Sequence, residues 1–300
     1  MKARSSLLAA ATALSACSTI RQEPWPQIGA PPARLALHPF YSRTLEVDGI
    51  PVSSSGKVPD AALRAAASII EGMLSHRPDL ARAMVRQGQR VVVMAQEEGT
   101  TDLPEQADWK KPAPDDQRLT TCERKHYQDW IGRLSDREYW NGRARGMGGL
   151  LTSGASENLL GVPGTRYYGE NIFVHEFSHA IMDVGIATAD QPLLRRIEAA
   201  YRHAKAAGLW KGEYGETTVN EYWAEGTQFW FESNKVVLID GRRILNADDL
   251  AAYDPALAAV LRSVYGNRHR LSADIFWRHP ARVPERPAGA AAVVSTAAEC

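Results

Sequence analysis

The segment 171–183 constrains this chain most strongly, because it is a nearly apolar helix that carries two histidines. The helix is expected to begin after Asn171, a residue favoured at the N-cap, and Gly185 follows as an expected stop. His175 and His179 stand four residues apart, so their rings lie on one helix face, one turn apart. A helix that is apolar around most of its circumference is buried, so the imidazoles are expected to face a cleft or the core.

Two imidazoles at this spacing can each donate a nitrogen to one tetrahedral zinc ion. Glu176 follows the first histidine directly, which places its carboxylate beside the metal without binding it. There it can take a proton from water whose pKa the cation lowers toward about 7. The motif therefore predicts one Zn2+ per chain and a hydrolase that uses Glu176 as its general base.

A catalytic zinc ion requires a third protein ligand and an open fourth position. A third histidine six residues after His179 is excluded, because Gly185 stands there. The best candidate is Glu221, in a helix predicted over 218–233, with Glu225 one turn further on the same face. In so aromatic a helix, a carboxylate needs a strong partner. We expect Glu221 to bind the metal and Glu225 to hydrogen-bond a metal-bound imidazole.

Other interpretations of these residues remain open. Thr218 followed by Glu221 matches a capping box, in which the glutamate would only close the helix start. His126, His203 and His269 are alternative metal donors, although His203 lies in a polar, alanine-rich helix. Ligation by Glu221 is favoured, since the histidine pair demands a third ligand.

The pairing of His-Glu-x-x-His with a downstream Asn-Glu-x-x-x-Glu segment resembles the gluzincin metallopeptidases, most closely the group that contains the catalytic domain of anthrax lethal factor. In that group a tyrosine precedes the ligand glutamate by seven residues, and Tyr214 holds this position relative to Glu221, with Glu225 as the second glutamate. The resemblance covers roughly residues 140–235. It implies that Tyr214 steadies the oxyanion, a contribution of roughly 3–4 kcal/mol. The alternative is an exposed or packing tyrosine beside Gly215.

The resemblance also implies a zincin-like domain, in which an extended substrate often lies along an edge strand above the metal helix. Gly146–Leu151 or Ser153–Leu160 could provide that edge, because glycine permits close backbone approach. Asp102 and Glu105 are interpreted as surface charges of a turn.

Hydrophobic periodicity predicts an α+β fold, mostly helical with a small mixed sheet. Extended structure is expected over 40–58 with a hairpin turn at Asp48-Gly49, and a buried strand over 90–95. Residues 99–120 are expected to form a long loop, and the glycine-rich stretch 141–170 irregular strand and loop. Further helices and a second hairpin are predicted over 60–75, 78–88, 190–207, 236–245 (the hairpin) and 248–265.

The N-terminus has the features of an export signal. Lys2 and Arg4 precede a short apolar run over 7–14, which falls short of the ~20 apolar residues that span a bilayer. The Leu-Ser-Ala-Cys ending resembles the lipobox of bacterial lipoproteins, which implies lipidation of Cys17 and anchoring of the exported protein to the cell envelope. Ser18 after the cysteine favours the outer membrane. An ordinary signal peptide with a chance cysteine is the alternative.

The expected organisation is a signal peptide (1–16), a proline-rich tether (17–36), a single zincin-like catalytic domain (37–279) and a loose tail (280–300). In an exported protein, Cys122 and Cys300 can form a disulfide that ties the tail to the domain. Alternatively, Cys122 is a small buried residue and Cys300 a free thiol.

Composition limits the partners. The net charge is zero and the isoelectric point is about 7.1, with no basic cluster of the kind that binds nucleic acid. The expected partners are a peptide or protein substrate and a membrane reached through the lipid. Two rival functions stay open: a cell-wall peptide amidase, and a non-catalytic, zinc-stabilised envelope lipoprotein. Glu176 argues against the second, because a structural zinc site uses four protein ligands and needs no base.

Overall fold

The computed structural model describes residues 26–283 except 117, 118, 120 and 240. Its strands are β1 Arg43–Val47, β2 Ile50–Ser54, β3 Arg90–Met94, β4 Leu151–Ala155, β5 Val237–Ile239 and β6 Arg242–Ile244. Its α-helices are α1 Asp60–Leu74, α2 Pro78–Arg86, α3 Thr121–Lys125, α4 Asp136–Arg143, α5 Ser156–Leu159, α6 Ile172–Ala180, α7 Ala187–Ala189, α8 Gln191–Ala206, α9 Val219–Trp230, α10 Ala247–Tyr253 and α11 Pro255–Tyr265.

A small mixed sheet forms one layer of the fold, with strand order β1-β2-β3-β4. The strands β1 and β2 form an antiparallel hairpin, while β2, β3 and β4 run parallel. Asp48 and Gly49 take φ values of 50° and 80°, the left-handed pair that a tight hairpin turn requires. The prediction of an α+β fold, mostly helical with a small mixed sheet, is confirmed.

The two helices of the candidate site, α6 and α9, pack against each other, and α6 also packs against the edge strand β4. The Trp223 indole of α9 donates a hydrogen bond to the Ser178 carbonyl of α6 at 3.0 Å. In β4, a Cβ atom on Gly154 would lie 2.7 Å from the Phe173 ring, so glycine lets α6 lie close against the sheet.

The helix α6 does not end where the sequence analysis predicted. Asn171 caps its start, accepting a hydrogen bond from the Val174 amide. At the other end Gly185 does not stop the helix, which continues as a π-helical segment, Ile181–Ile186, and then as α7. Gly185 serves close packing instead, because a Cβ atom there would lie 3.2 Å from the Met84 side chain of α2.

The stretch 99–150 holds more structure than predicted. Short 3-10 turns interrupt the expected loop at Thr100–Asp102 and Pro104–Gln106, and α4 was not predicted. Ser135 caps α4, and the Glu138 side chain returns the hydrogen bond to the Ser135 amide. This Ser-x-x-Glu capping box was readable in the sequence.

Both ends of the described chain contact the domain. Gly29 pairs with Thr44 of β1, so the described part of the expected tether lies against the sheet. Pro280–Arg282, the first residues of the expected loose tail, instead form a 3-10 turn in which Arg282 is 1% exposed, and residues 284–300 lie outside the described part of the chain. The signal peptide and Cys17 lie outside the described residues. None of the described helices is long and apolar enough to cross a bilayer.

Candidate active site

Three side chains from two helices converge where α6 packs against α9. His175 and His179 project from α6, and Glu221 projects from the first turn of α9. The Glu221 Oε2 atom lies 2.9 Å from His175 Nε2 and 3.5 Å from His179 Nε2. One ligand atom from each residue lies within 4.8 Å of the others. The structure therefore brings together the three residues that the sequence proposed as metal ligands.

The local structure at the start of α9 directs Glu221 into the site. The Thr218 side chain accepts a hydrogen bond from the Glu221 amide at 3.1 Å and so caps the helix. The Glu221 carboxylate points to the histidines rather than closing a capping box. Glu221 thus gives its backbone amide to the Thr218 cap and turns its carboxylate to the histidines.

The electrostatics of the cluster favour a cation. Burial raises the Glu221 pKa, but hydrogen bonds from His175 and His179 hold it well below its usual range. Burial lowers the His175 pKa, while the Glu221 hydrogen bond and the charges of Glu176, Glu221 and Glu225 raise it to about 10. The carboxylates thus surround the imidazoles with negative charge, which a divalent cation at the same position would balance.

The donor set fits zinc. Tetrahedral zinc binds nitrogen and oxygen at about 2.0–2.2 Å, so neighbouring ligand atoms lie about 3.4 Å apart. The observed separations of 2.9 and 3.5 Å from the Glu221 oxygen to the two Nε2 atoms bracket this value. Two imidazoles and one carboxylate are a typical zinc set of three protein ligands.

Glu176 lies beside the cluster without joining it. Burial raises its pKa, and the positive charges of His175 and His179 lower it. The backbone amide of Gly148 lies near its carboxylate and also lowers this pKa. A carboxylate next to a cation site can accept and return a proton.

Tyr214 lies on a 3-10 turn, Tyr214–Glu216, that leads into α9. Its ring stacks on His175, with centroids 6.3 Å apart and planes inclined by 20°. Burial and the negative charges of Glu221 and Glu176 raise the pKa of the phenol, so it keeps its proton and can donate it. The side chain is 37% exposed, which leaves it accessible to a substrate.

The hydrogen-bond partner of His175 differs from the one predicted. Glu225 Oε1 lies 3.6 Å from His175 Nδ1, beyond hydrogen-bond length, and Glu225 Oε2 accepts from Asn234 Nδ2 at 2.8 Å. Gln228 Oε1 lies 3.0 Å from the same Nδ1 atom. Gln228 could have been found from the sequence by its helical spacing, because positions 221, 225 and 228 fall on one helix face.

The alternative donors lie elsewhere. Among the described residues, His126, His203 and His269 take no part in the metal-type cluster. Asp102 and Glu105 form ion pairs with Arg137 and Arg90, in keeping with the interpretation as charges of a turn.

The proposed disulfide involves the end of the chain. Cys122 is disulfide-bonded, and Cys17 and Cys300 both lie outside the described residues. The pairing of Cys122 with Cys300 therefore stays a prediction.

A glycine-rich segment runs along the outer edge of the sheet above α6. Met147 exchanges two backbone hydrogen bonds with Ser153 of β4, in an antiparallel bridge. A Cβ atom on Gly146 would lie 2.8 Å from Glu176 Cγ, and one on Gly148 would lie 2.6 Å from His179 Cβ. Of the two candidate edges, 146–151 thus supplies the segment that touches both site residues.

Comparisons with known proteins add a structural likeness. No protein-family model matches the chain, and no curated protein matches it. Among solved structures, the Pro-Pro endopeptidase PPEP-2 from Paenibacillus alvei is similar, with 15% sequence identity and a TM-score of 0.45. The match covers 71% of this chain and 96% of that one. At this similarity, the chemistry of the site has to be derived from the residues of this chain.

Proposed function

We propose that this protein is a zinc-dependent hydrolase that cleaves peptide bonds. One observation carries the proposal: the Glu221 carboxylate meets two imidazoles of another helix, His175 and His179, at separations suited to a shared metal. Zinc bound there would polarise a scissile carbonyl and acidify the attacking water. Two further groups support the proposal: the Glu176 carboxylate, next to His175 in the sequence, and the Tyr214 phenol, whose ring stacks on His175.

Two side chains of this protein have separate roles in the proposed reaction. Glu176 takes a proton from the attacking water and then gives it to the leaving amine. Tyr214 donates a hydrogen bond to the carbonyl oxygen as negative charge develops on it. The phenol is suited to that task because it remains protonated beside the two carboxylates.

We propose that the substrate backbone lies along the segment 146–149. In an antiparallel strand, neighbouring residues direct their amide and carbonyl groups to opposite sides. Met147 directs its groups to Ser153, so Gly146 and Gly148 direct theirs to the opposite side, away from β4. A peptide could extend the sheet from this edge, with its scissile bond above the metal ligands.

The test of the base assignment compares two glutamate variants of the protein without its signal peptide. Glu176→Gln should keep full zinc occupancy, measured by mass spectrometry of the metal, and lose cleavage of a peptide library by at least about 10²-fold. Glu198→Gln, a partly exposed change on α8, should alter neither measurement. Cleavage retained by Glu176→Gln rejects Glu176 as the base, and full zinc with no cleavage by the wild type rejects the peptidase function.

The third ligand can be tested in the same preparation. Glu221→Ala should lose bound zinc, because two imidazoles alone hold the metal weakly. Asp183→Ala is the matched control: Asp183 is a carboxylate one turn beyond His179 that accepts from Asn220 Nδ2 at 2.8 Å and lies outside the ligand cluster. Unchanged zinc content in Glu221→Ala would move the third ligand elsewhere.

We also propose that the protein is exported and anchored through a lipid on Cys17. The support is the N-terminal sequence alone: a basic start, a short apolar run and the Leu-Ser-Ala-Cys ending. Labelling of cells with radioactive palmitate should mark the wild-type chain, and Cys17→Ser should abolish the label. An unlabelled wild-type chain recovered from the soluble fraction of the envelope would contradict the anchor.

A further inference from the structure

Gln228 is a fully buried amide that joins the two helices of the site. It lies near the end of α9 and is 0% exposed. Its Nε2 atom lies 3.0 Å from the backbone oxygen of Asn171, and its Oε1 atom lies 3.0 Å from Nδ1 of His175. The amide thus lies between the start of α6 and the first metal-ligand candidate.

The orientation of this amide follows from the partner at its other end. The Asn171 carbonyl oxygen can only accept a hydrogen bond, so the NH2 group of Gln228 must face it. The carbonyl oxygen of Gln228 then faces His175, and it too can only accept. His175 must therefore carry a proton on Nδ1, which leaves Nε2 as the ring atom that faces Glu221.

The framework around the Asn171 peptide is rigid. The Asn171 side chain accepts from the Val174 amide and donates to Asp274 Oδ1 at 2.9 Å. The Asn171 amide donates to the Ser233 carbonyl at 2.9 Å, just beyond α9. The carbonyl oxygen that orients Gln228 is therefore fixed by contacts with three different segments.

Glu225 cannot take the same role in this arrangement. Its nearer oxygen is 3.6 Å from Nδ1, and its other oxygen accepts from Asn234. Gln228 offers a neutral acceptor at hydrogen-bond distance, which orients the ring without adding charge to a site that already holds several carboxylates.

We propose that Gln228 is the positioning residue of the metal site: it holds the His175 ring in the Nδ1–H tautomer and aims Nε2 at the metal. The inference rests on the proposed zinc site but not on the nature of the substrate. Outer partners of this kind alter metal affinity by about 10–100-fold when they are removed.

The first test compares two variants of neighbouring buried residues. Gln228→Met keeps the volume but removes the acceptor, and should weaken zinc binding by about 10–100-fold in competition with a chelator. It should also alter the visible absorption of the cobalt-substituted protein. The control is Thr227→Val, since Thr227 is equally buried and its hydroxyl bonds the Trp223 carbonyl rather than a residue of the metal-type cluster. The control should lose thermal stability without a change in zinc affinity or cobalt spectrum.

A conservative variant separates positioning from packing. Gln228→Glu keeps an acceptor for Nδ1 but turns its second oxygen toward the Asn171 carbonyl. It should recover most of the zinc affinity while its melting temperature stays below that of the wild type. Equal zinc affinity of Gln228→Met and Thr227→Val, within about twofold, would overturn the proposal.

A measurement on the wild type covers the case in which Gln228→Met does not fold. Two-bond proton–nitrogen correlation spectra of the zinc-loaded, histidine-labelled protein should show His175 protonated on Nδ1 and metal-bound through Nε2. Coordination through Nδ1 would overturn the proposal. Zinc binding that depends on Gln228 in a protein that cleaves no peptide would reject the peptidase function and leave this inference intact.

Discussion

Replacement of Gly148 by alanine should disturb the metal site by a route that the sequence does not show. The new Cβ atom would lie 2.6 Å from His179 Cβ and 2.8 Å from its Cδ2 atom. Carbon atoms in ordinary contact lie about 3.5–4.0 Å apart, so the segment or the ring must move by about 1 Å. The segment resists this movement, because Met147 is held by two hydrogen bonds to Ser153.

The size of the effect follows from that displacement. A shift of about 1 Å in catalytic geometry costs about 10²-fold in rate, or roughly 3 kcal/mol of transition-state stabilisation. Overpacking of the buried site should also cost about 1–3 kcal/mol of folding free energy. Because the new methyl group would clash with His179, a proposed metal ligand, we expect zinc affinity and kcat/KM to fall together.

Two further glycine variants make the assay specific. Gly146→Ala would place a Cβ atom 2.8 Å from Glu176 Cγ, so kcat should fall while zinc affinity is retained. Gly142→Ala, in α4, meets no heavy atom within 4 Å and should leave both measurements unchanged. Zinc affinity by chelator competition and peptide cleavage are measured on all three folded proteins. If Gly148→Ala equals Gly142→Ala in both assays, the reasoning from close contact is refuted.

Three other perturbations have defined outcomes. Tyr214→Phe should lower kcat by about 10²-fold with zinc content unchanged, and an unaltered kcat would exclude the phenol from the reaction. Burial raises the Asp274 pKa from 3.8 to about 6, so the carboxyl stabilises the fold below pH 3.8 and loses that contribution as pH rises through 6. Between about pH 4 and pH 7, the unfolding free energy of Asp274→Asn should therefore rise by roughly 3 kcal/mol relative to that of the wild type. Denaturant unfolding of the metal-free proteins at several pH values measures this difference. A difference that stays constant with pH would contradict the prediction. Arg145→Met breaks a buried ion pair with Glu157 and should cost about 3–5 kcal/mol, whereas Arg133→Met on the surface should cost under about 1 kcal/mol.

Local chemistry made much of the fold readable. Asp48-Gly49 predicted the first hairpin, because few residues tolerate left-handed backbone at both turn positions. Asn171 predicted the start of α6, and its side chain accepts a hydrogen bond from the Val174 amide in the first turn. These predictions hold because a cap or a tight turn involves atoms only a few residues apart.

The prediction from sequence was wrong where one residue type can have two different structural roles. Gly185 was interpreted as a helix stop but faces Met84 of α2 within a continuing helix. Glycine terminates a helix through its backbone freedom and permits close packing through its lack of a side chain, and the sequence does not distinguish these uses. The neighbour that decides between them lies on another element.

The sequence by itself determined that His175 and His179 share one face, since helical spacing is a property of a single segment. Only the tertiary structure decided that Glu221, 46 residues after His175, turns its carboxylate to these rings while Thr218 caps the helix. It also replaced Glu225 by Gln228 as the partner of His175. The physical reason is that distances of 3 Å between helices depend on how whole side chains fill the space between them, which no local spacing rule encodes.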